Sequence, residues 1–414
     1  MVPNGWEKTT FGEHIDLLNG FAFKSALYSD DENDIKLLRG DNIEPNKLRW
    51  RDVKRWSKTE YESLEKYHLK ENDFIIAMDR TWITAGLKVA EVKQEDLPCL
   101  LVQRVSRIRS LPTLCQDLIK HHFSSYQFEQ YVKSVQTETA VPHISATQIR
   151  EFGLLLPPLP EQQKIAKILS TWDKAISTTE RLIDNSTEQK KALMQQLLTG
   201  KKRLLDESGK RFEGEWEEVE LADIGKCING LTYSPSDVVE SNGMLVLRSS
   251  NVQDGKLAFD DNVYVKSDLK VKSKTKEGDI LVCVRNGSKN LIGKSALIKG
   301  KAVNEAHGAF MTLYRSIYPT YVFQLFQSNL FYRQVNKNLG ATINSINTSD
   351  LHKFKFLIPS NQNEIKKIAT VLINADKEIE LLEQQLADLQ QEKKALMQVL
   401  LTGKKRVVID GEAS

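Results

Sequence analysis

The chain has 414 residues, 27% of them charged and 40% apolar, an ordinary globular profile with room for two or three domains. A net charge of only +3 excludes a global polycation, so any nucleic-acid contact must come from local basic patches. Cys99, Cys115, Cys227 and Cys283 are scattered without C-x-x-C spacing, which argues against a zinc ribbon or a disulfide framework.

Residues 1–155 read as a mixed region of short strands and loops. Leu37-Leu38-Arg39-Gly40-Asp41-Asn42-Ile43 and Asp73-Phe74-Ile75-Ile76-Ala77-Met78 are short apolar runs with polar ends, the pattern of buried strands. Leu156-Pro157-Pro158-Leu159-Pro160 cannot be helix interior, because proline lacks the donor and restricts the residue before it. From Glu161 the pattern is helical for almost forty residues, until Gly200 supplies a C-terminal stop.

The second half repeats this order. Trp216-Glu217 answers Trp6-Glu7, and Val246-Leu247-Arg248-Ser249-Ser250-Asn251-Val252 answers 37–43 with arginine and asparagine in register. Gly278-Asp279-Ile280-Leu281-Val282 echoes 72–76, and a second long helix is expected from about Glu364 to Thr402, with Gly403 at its end. The sharpest match is 190–204 against 393–407, where only Gln196/Val399 and Leu204/Val407 differ among fifteen positions at an offset of 203. The chain is therefore a tandem duplication of whole domains. The helices have been kept and the mixed domains have drifted, as expected if the helices share one task and the domains have two; a lower tolerance of the helical ends to change, for packing reasons, is the alternative.

The helices carry an apolar seam. Ile368, Leu372, Ala375, Ile379, Leu382, Leu386, Leu389, Leu396 and Leu400 follow steps of four and three, interrupted only by Lys393. The first copy keeps the phase with Ile165, Leu169, Trp172, Ile176, Ile183, Leu193 and Leu197, broken by Thr179, Ser186 and Lys190. Such a/d spacing marks a coiled coil. Each helix would be roughly 55–60 Å long at ~1.5 Å per residue, and two seams in one chain most simply bury each other antiparallel. Packing of each helix along its own domain is the alternative.

No catalytic constellation in the sequence rises above chance. Gly287-Ser288-Lys289-Asn290-Leu291-Ile292-Gly293-Lys294-Ser295 has one residue too many between its glycines for a P-loop, and no helical pattern follows it. Glu91-Val92-Lys93 downstream of Asp79 has the look of a nuclease triplet, but such triplets are common in a chain this charged. The seven histidines, including His121-His122, show no metal-ligand spacing. Basic and aromatic residues do cluster, at Arg49-Trp50-Arg51, Lys54-Arg55-Trp56 and Arg80-Thr81-Trp82, along Arg104, Arg107 and Arg109, and at Arg285-Asn286-Gly287-Ser288-Lys289 with Lys294. Arginine, asparagine and lysine are the side chains that bond guanine, adenine and phosphate.

Pro157-Pro158-Leu159-Pro160-Glu161-Gln162-Gln163-Lys164-Ile165-Ala166 and the duplicated Leu-Leu-Thr-Gly-Lys-Lys-Arg helix ends resemble the specificity subunit of Type I restriction–modification enzymes, over essentially the whole chain. Trp6/Trp216, Arg39/Arg248 and Asn42/Asn251 are similar to skeleton positions of that family's target recognition domains. Ser360-Asn361-Gln362-Asn363-Glu364-Ile365 departs from the family's proline-rich entry, leaving the start of the second helix open.

The resemblance implies an α+β fold with an internal pseudo-twofold repeat. Residues 1–155 would form the first target recognition domain and 156–204 the first spacer helix. Residues 205–357 would form the second domain, and 358–414 the second helix and tail. Each domain would read one half of a gapped DNA site, about one turn or roughly 34–36 Å apart, with the helices as the ruler. The partners implied are double-stranded DNA, two modification (methyltransferase) subunits carrying S-adenosylmethionine, and restriction subunits supplying ATP/Mg-driven translocation and cleavage. This chain would itself be a non-catalytic, cytoplasmic scaffold binding no cofactor and no metal.

The residues expected to face DNA are Arg80, Thr81, Trp82, Gln103 and Arg104 in the first domain and Arg285, Asn286, Ser288 and Lys289 in the second. The loops holding His143 and Ser145, and Asn344 and Asn347, join them. Arg39 and Arg248 suit a structural role equally well. A coiled-coil adaptor that binds only proteins, and a self-contained DNA-modifying enzyme, are the rival readings.

Overall fold

The computed structural model describes residues 2–137, 140–240, 242–271, 273–339 and 344–409; the last five residues of the expected 358–414 tail lie outside them. The chain forms two compact units, residues 1–180 with 384–414, and residues 181–383. Each unit holds one mixed domain and one half of each long helix, so the helices are not a module separate from the domains.

In the first unit a four-stranded antiparallel sheet runs in the order Val89–Glu91, Phe74–Ala77, Val105–Ser110, Ile15–Asn19. The Phe74–Ala77 strand is buried at every position because both its faces are covered. Phe74 and Ile76 join the core shared with the helices, while Ile75 and Ala77 face a smaller cluster with Leu38, Leu101 and Val105. A three-stranded sheet adds Cys99–Leu101, Ile35–Leu38 and Arg55–Trp56, the first two parallel. Three helices, Gln116–Phe123, Tyr126–Val135 and Ala146–Glu151, complete the domain. A reading of strands and loops passed over them because each spans no more than three turns.

The second unit repeats the main sheet in the same order, Ser295–Leu297, Ile280–Cys283, Met311–Ser316, Gly225–Asn229. Helices Pro319–Phe326, Asn329–Asn338 and Thr348–His352 follow it. In both units the first strand pairs antiparallel with the last, Glu7–Thr10 with Gly153–Leu156 and Trp216–Glu220 with Lys355–Pro359. Each domain thus begins and ends at the entry to a long helix.

Those helices are Leu159–Leu197 and Gln362–Leu400, 39 residues each. Their starts differ by the same 203 residues as their ends, so the altered entry at 360–365 does not shift the second helix. Within each unit they run antiparallel. In the first, Ile165 and Leu169 from the start of one helix share a core with Met397, Leu400 and Leu401 from the end of the other. In the second, Met194, Leu197 and Leu198 meet Ile365, Ile368 and Leu372.

The two lysine breaks in the seam are paired across the helices, whereas Thr179 donates to the Ala175 carbonyl of its own helix. In the first unit Lys393 bonds Asp173; in the second Lys190 bonds Asp376. The two pairs are equivalent under the duplication.

The repeated helix ends have a structural reason of the same kind. Gly200 and Gly403 take left-handed φ values of 68° and 66°, which glycine adopts without a Cβ penalty. The chain turns back, and the arginine three residues on reaches the buried glutamate at the start of the other helix. Arg203 bonds Glu364 with two parallel bonds of 2.5 and 2.6 Å, and Arg406 bonds Glu161 at 3.1 and 2.7 Å. Both carboxylates are 0% exposed. Glu161 also accepts from the Trp6 indole at 3.0 Å, while the Trp216 indole N–H has no partner.

Candidate nucleic-acid interface

Three segments converge beyond the main sheet of the first domain. Strand Phe74–Ala77 runs out into Met78-Asp79-Arg80, Gln103-Arg104 leads into strand Val105–Ser110, and residues 142–145 lead into helix Ala146–Glu151. Met78 joins them: its N–H donates to the Arg104 carbonyl at 2.8 Å, and its carbonyl accepts from the Ile144 N–H at 2.9 Å. The Arg80 N–H donates to the Pro142 carbonyl at 2.7 Å, and Asp79 and His143 form an antiparallel bridge. On this frame Asp79 Oδ1 faces His143 Nδ1 at 2.7 Å and the Arg104 guanidinium at 3.3 Å. Arg80 and Arg104 have φ of 48° and 67°, a region disfavoured for side chains with a Cβ. Backbone strain of this kind concentrates where ligands are held.

The remaining first-domain residues divide by role. Gln103 is exposed beside Arg104, its N–H donating to the Phe21 carbonyl at 2.8 Å. Ser145 caps helix Ala146–Glu151, its hydroxyl accepting from the Gln148 N–H at 3.1 Å. Thr81 is 1% exposed and donates its hydroxyl to the carbonyls of Ala77 and Met78, so it holds the turn from inside. Trp82 lies on the adjoining hairpin with the Lys133 ammonium 4.1 Å from its ring centre.

Lys88 belongs to this neighbourhood, and sequence reasoning passed it over. Burial pulls its ammonium below the usual lysine range, with Arg80 and Arg49 acting in the same direction against Asp41 and Asp79. The signal available was its counterpart 206 positions on, Lys294.

The second domain builds the same frame. The Val284 N–H donates to the Phe310 carbonyl at 3.0 Å, the Ile346 N–H to the Val284 carbonyl at 2.9 Å, and Arg285 bridges Ser345. Asn286 donates to the Ser249 hydroxyl at 3.0 Å and accepts the Ser288 N–H at 3.0 Å, while Asn344 donates to the Gly287 carbonyl at 2.9 Å. Lys289 is exposed at the start of the short turn Lys289–Leu291. Asn347 heads helix Thr348–His352 and donates to Asp350 at 3.3 Å. The glycine-bounded stretch 287–295 is therefore the connection between two antiparallel strands, with no phosphate-binding helix behind it.

Other basic–aromatic clusters are spent on packing. Trp56 is buried with its indole on Glu60 at 2.8 Å, Arg55 donates to the Asp34 carbonyl at 2.9 Å, and Trp50 donates to Asp96 at 2.6 Å. Arg107 is tied to Asp16, and Arg109 holds Asp73 by two bonds, as Arg315 holds Asp279 in the second copy. Arg39 and Arg248 contact Asp41 and Asp261 at 2.9 Å each. The asparagines beside them do the structural work: the Asn42 and Asn251 carbonyls accept from the Arg39 and Arg248 N–H groups, and their amides donate to the carbonyls of Arg49 and Ala258. Among the described residues no group of three or more His, Cys, Asp or Glu is placed to hold a metal ion, and no helix is long and apolar enough to cross a membrane.

A duplicated mixed domain that presents the same loop frame with different side chains, braced by paired helices, is the build of a two-part recognition protein. The chain belongs to the Type I restriction–modification DNA specificity family: the model of the Type I restriction modification DNA specificity domain matches residues 3–186 and 213–391. It is 28% identical over 424 aligned residues to the Type I restriction enzyme MjaVIII specificity subunit of Methanocaldococcus jannaschii, covering 98% of this chain and 94% of that protein. It is 35% identical over 182 residues to the EcoAI specificity subunit of Escherichia coli, spanning 44% of this chain and 30% of that one. Its fold matches the crystal structure of the Type I restriction–modification S subunit from M. genitalium with a TM-score of 0.57 at 13% identity, over 97% of this chain and 98% of that one.

Proposed function

We propose that each unit reads one half of a bipartite, gapped DNA sequence and that the helix pair sets the unread spacer between the halves. The observation that carries this is the loop frame built twice on the same backbone bonds and furnished differently, Asp79, Arg104 and His143 in one copy, Arg285, Phe310 and Ser345 in the other. A shared frame gives both domains the same approach to a duplex; different side chains give them different bases to read.

On this reading the chain is a non-catalytic scaffold of the cytoplasm. It binds double-stranded DNA, two modification subunits and the restriction subunits, and S-adenosylmethionine and ATP/Mg belong to those partners. Adenine methylation by base flipping would then be the partners' chemistry. A relative solved for complex assembly of a type I R-M system, with a TM-score of 0.57, supports the assembly part of the proposal.

Long-read methylation mapping in cells that make this chain with its cognate modification subunit tests it. A gapped motif with methyladenine on each strand, lost on deletion of the chain, is the expected result. A continuous motif would refute the ruler, and an assembled complex without any motif would favour the protein-only adaptor.

A further inference from the structure

The duplication puts Phe310 where the first copy has Arg104, and Arg285 where it has Asp79. Both pairs of positions are 206 residues apart, and the backbone bond into each is the same: Met78 N–H to the Arg104 carbonyl, Val284 N–H to the Phe310 carbonyl. The first copy therefore carries an acid whose charge is met by arginine and histidine at 3.3 and 2.7 Å. The second carries an arginine 5.8 Å from the centre of an aromatic ring. Among the described residues no carboxylate pairs with Arg285.

Phe310 is 58% exposed, among the most exposed large apolar side chains described. Its backbone is rigidly held all the same. Two N–H groups, from Val284 and Arg285, bond its carbonyl at 3.0 and 3.1 Å. Close by, Gly230 lies so tightly against Gly308 that a Cβ would fall 2.1 Å from the Gly308 carbonyl oxygen. Lys289 is exposed on the adjoining connection, and Asn286 and Ser288 lie between it and Arg285. A phenyl ring facing solvent from a firmly bonded backbone, among cations and amides, suits a partner with both negative charge and flat apolar surface. Double-stranded DNA has both: phosphates for the cations, and thymine methyl groups or partly unstacked base steps for the ring.

We infer that Phe310 is a specificity-determining residue of the second half-site, contacting a base through its apolar face beside Arg285. This rests on the reading that the second unit reads one half-site. The first copy performs the corresponding task with polar groups, so the two half-sites differ in the chemistry read at this position.

The test uses the full chain in complex with its modification subunits. Wild-type complex is first measured on a duplex carrying the methylated motif and on duplexes with either half-site scrambled. Unchanged wild-type binding on scrambling the second half-site would refute the underlying reading, independently of Phe310. Given a wild-type loss, Phe310→Ala is expected to weaken binding to the intact motif about ten- to hundred-fold. It should bind the second-half-scrambled duplex as wild type does, with an unchanged melting temperature, and Phe310→Trp should retain most of the affinity. Wild-type affinity of Phe310→Ala for the intact motif would overturn the inference. An equal loss on every duplex would also overturn it, placing the ring on a sequence-independent surface.

Discussion

Lys190 of the first long helix bonds Asp376 of the second. It stands at a position where the heptad pattern calls for an apolar side chain, and its partner is also gripped from the domain side by the Gln324 amide at 2.6 Å. One carboxylate thereby ties helix to helix and domain to helices. In the first unit Lys393 and Asp173 repeat the pair, with Lys120 3.4 Å from the acid and the buried His121 at 4.0 Å. A polar pair inside an apolar seam specifies register, because sliding either helix by one turn would strand both charges.

Lys190→Met should be tolerated better than Asp376→Ala. Methionine removes the half-buried cation and fills its space while Asp376 keeps its bond from the Gln324 amide, whereas alanine leaves the lysine charge unmet. We expect Asp376→Ala to cost about 1–3 kcal/mol, below the range for fully buried pairs because both side chains retain some exposure. A double-mutant cycle with Lys190, followed by chemical denaturation, checks it; additive effects would mean the pair does not act as a unit.

Arg203→Lys should destabilise the second unit nearly as much as Arg203→Ala. Glu364 is fully buried and accepts two parallel bonds from the guanidinium, a geometry that a single ammonium cannot reproduce. The expected loss is about 3 kcal/mol, read as a lowered denaturation midpoint. Trp6→Phe should cost more than Trp216→Phe, since only the Trp6 indole has its glutamate bond.

Gly200→Ala should destabilise by about 1 kcal/mol or more. Its φ of 68° is left-handed, and a Cβ would lie 3.1 Å from the Trp216 ring. Gly403→Ala should be worse, with Pro3 only 2.4 Å from the added carbon. Thermal melting of each variant beside wild type decides the order.

Acid should weaken the first domain through its histidine pair. Burial pulls His121 down to about 2 and His122 to about 4, so the folded state holds both neutral. Their contribution is fully present above the ordinary histidine value of about 6.5. It is lost as pH falls from there through the folded-state values, because the unfolded chain takes up protons first. Gln324 occupies the place of His121 in the second copy. His121→Gln should therefore flatten the fall in melting temperature between roughly pH 6.5 and 4 and offer Asp173 an amide in exchange.

The duplication, the two long helices and their apolar seam were legible in the sequence, because a helix is periodic and a repeat is arithmetic. The Leu37–Ile43 and Asp73–Met78 runs announced buried strands for the same local reason. The short helices, the bonds behind Asn42 and Asn251, and the division of the arginines between packing and surface were not legible. Arg107 and Arg104 look alike in sequence, yet one is bonded to Asp16 inside the domain and the other is exposed beside Asp79. What separates them is the chain arriving from far away.

The sequence by itself determined that there are two copies, that each ends in a long helix with an apolar seam, and which helix-end residues the copies share. Local spacing and self-comparison are enough for each of these. Only the tertiary structure decided that Lys190 and Lys393 are register pairs and not flaws in the seam, that Thr81 holds a turn from inside, and that Phe310 faces solvent where its counterpart is an arginine. Each of those depends on which distant backbone bonds hold a residue in place, and no spacing along the chain encodes that.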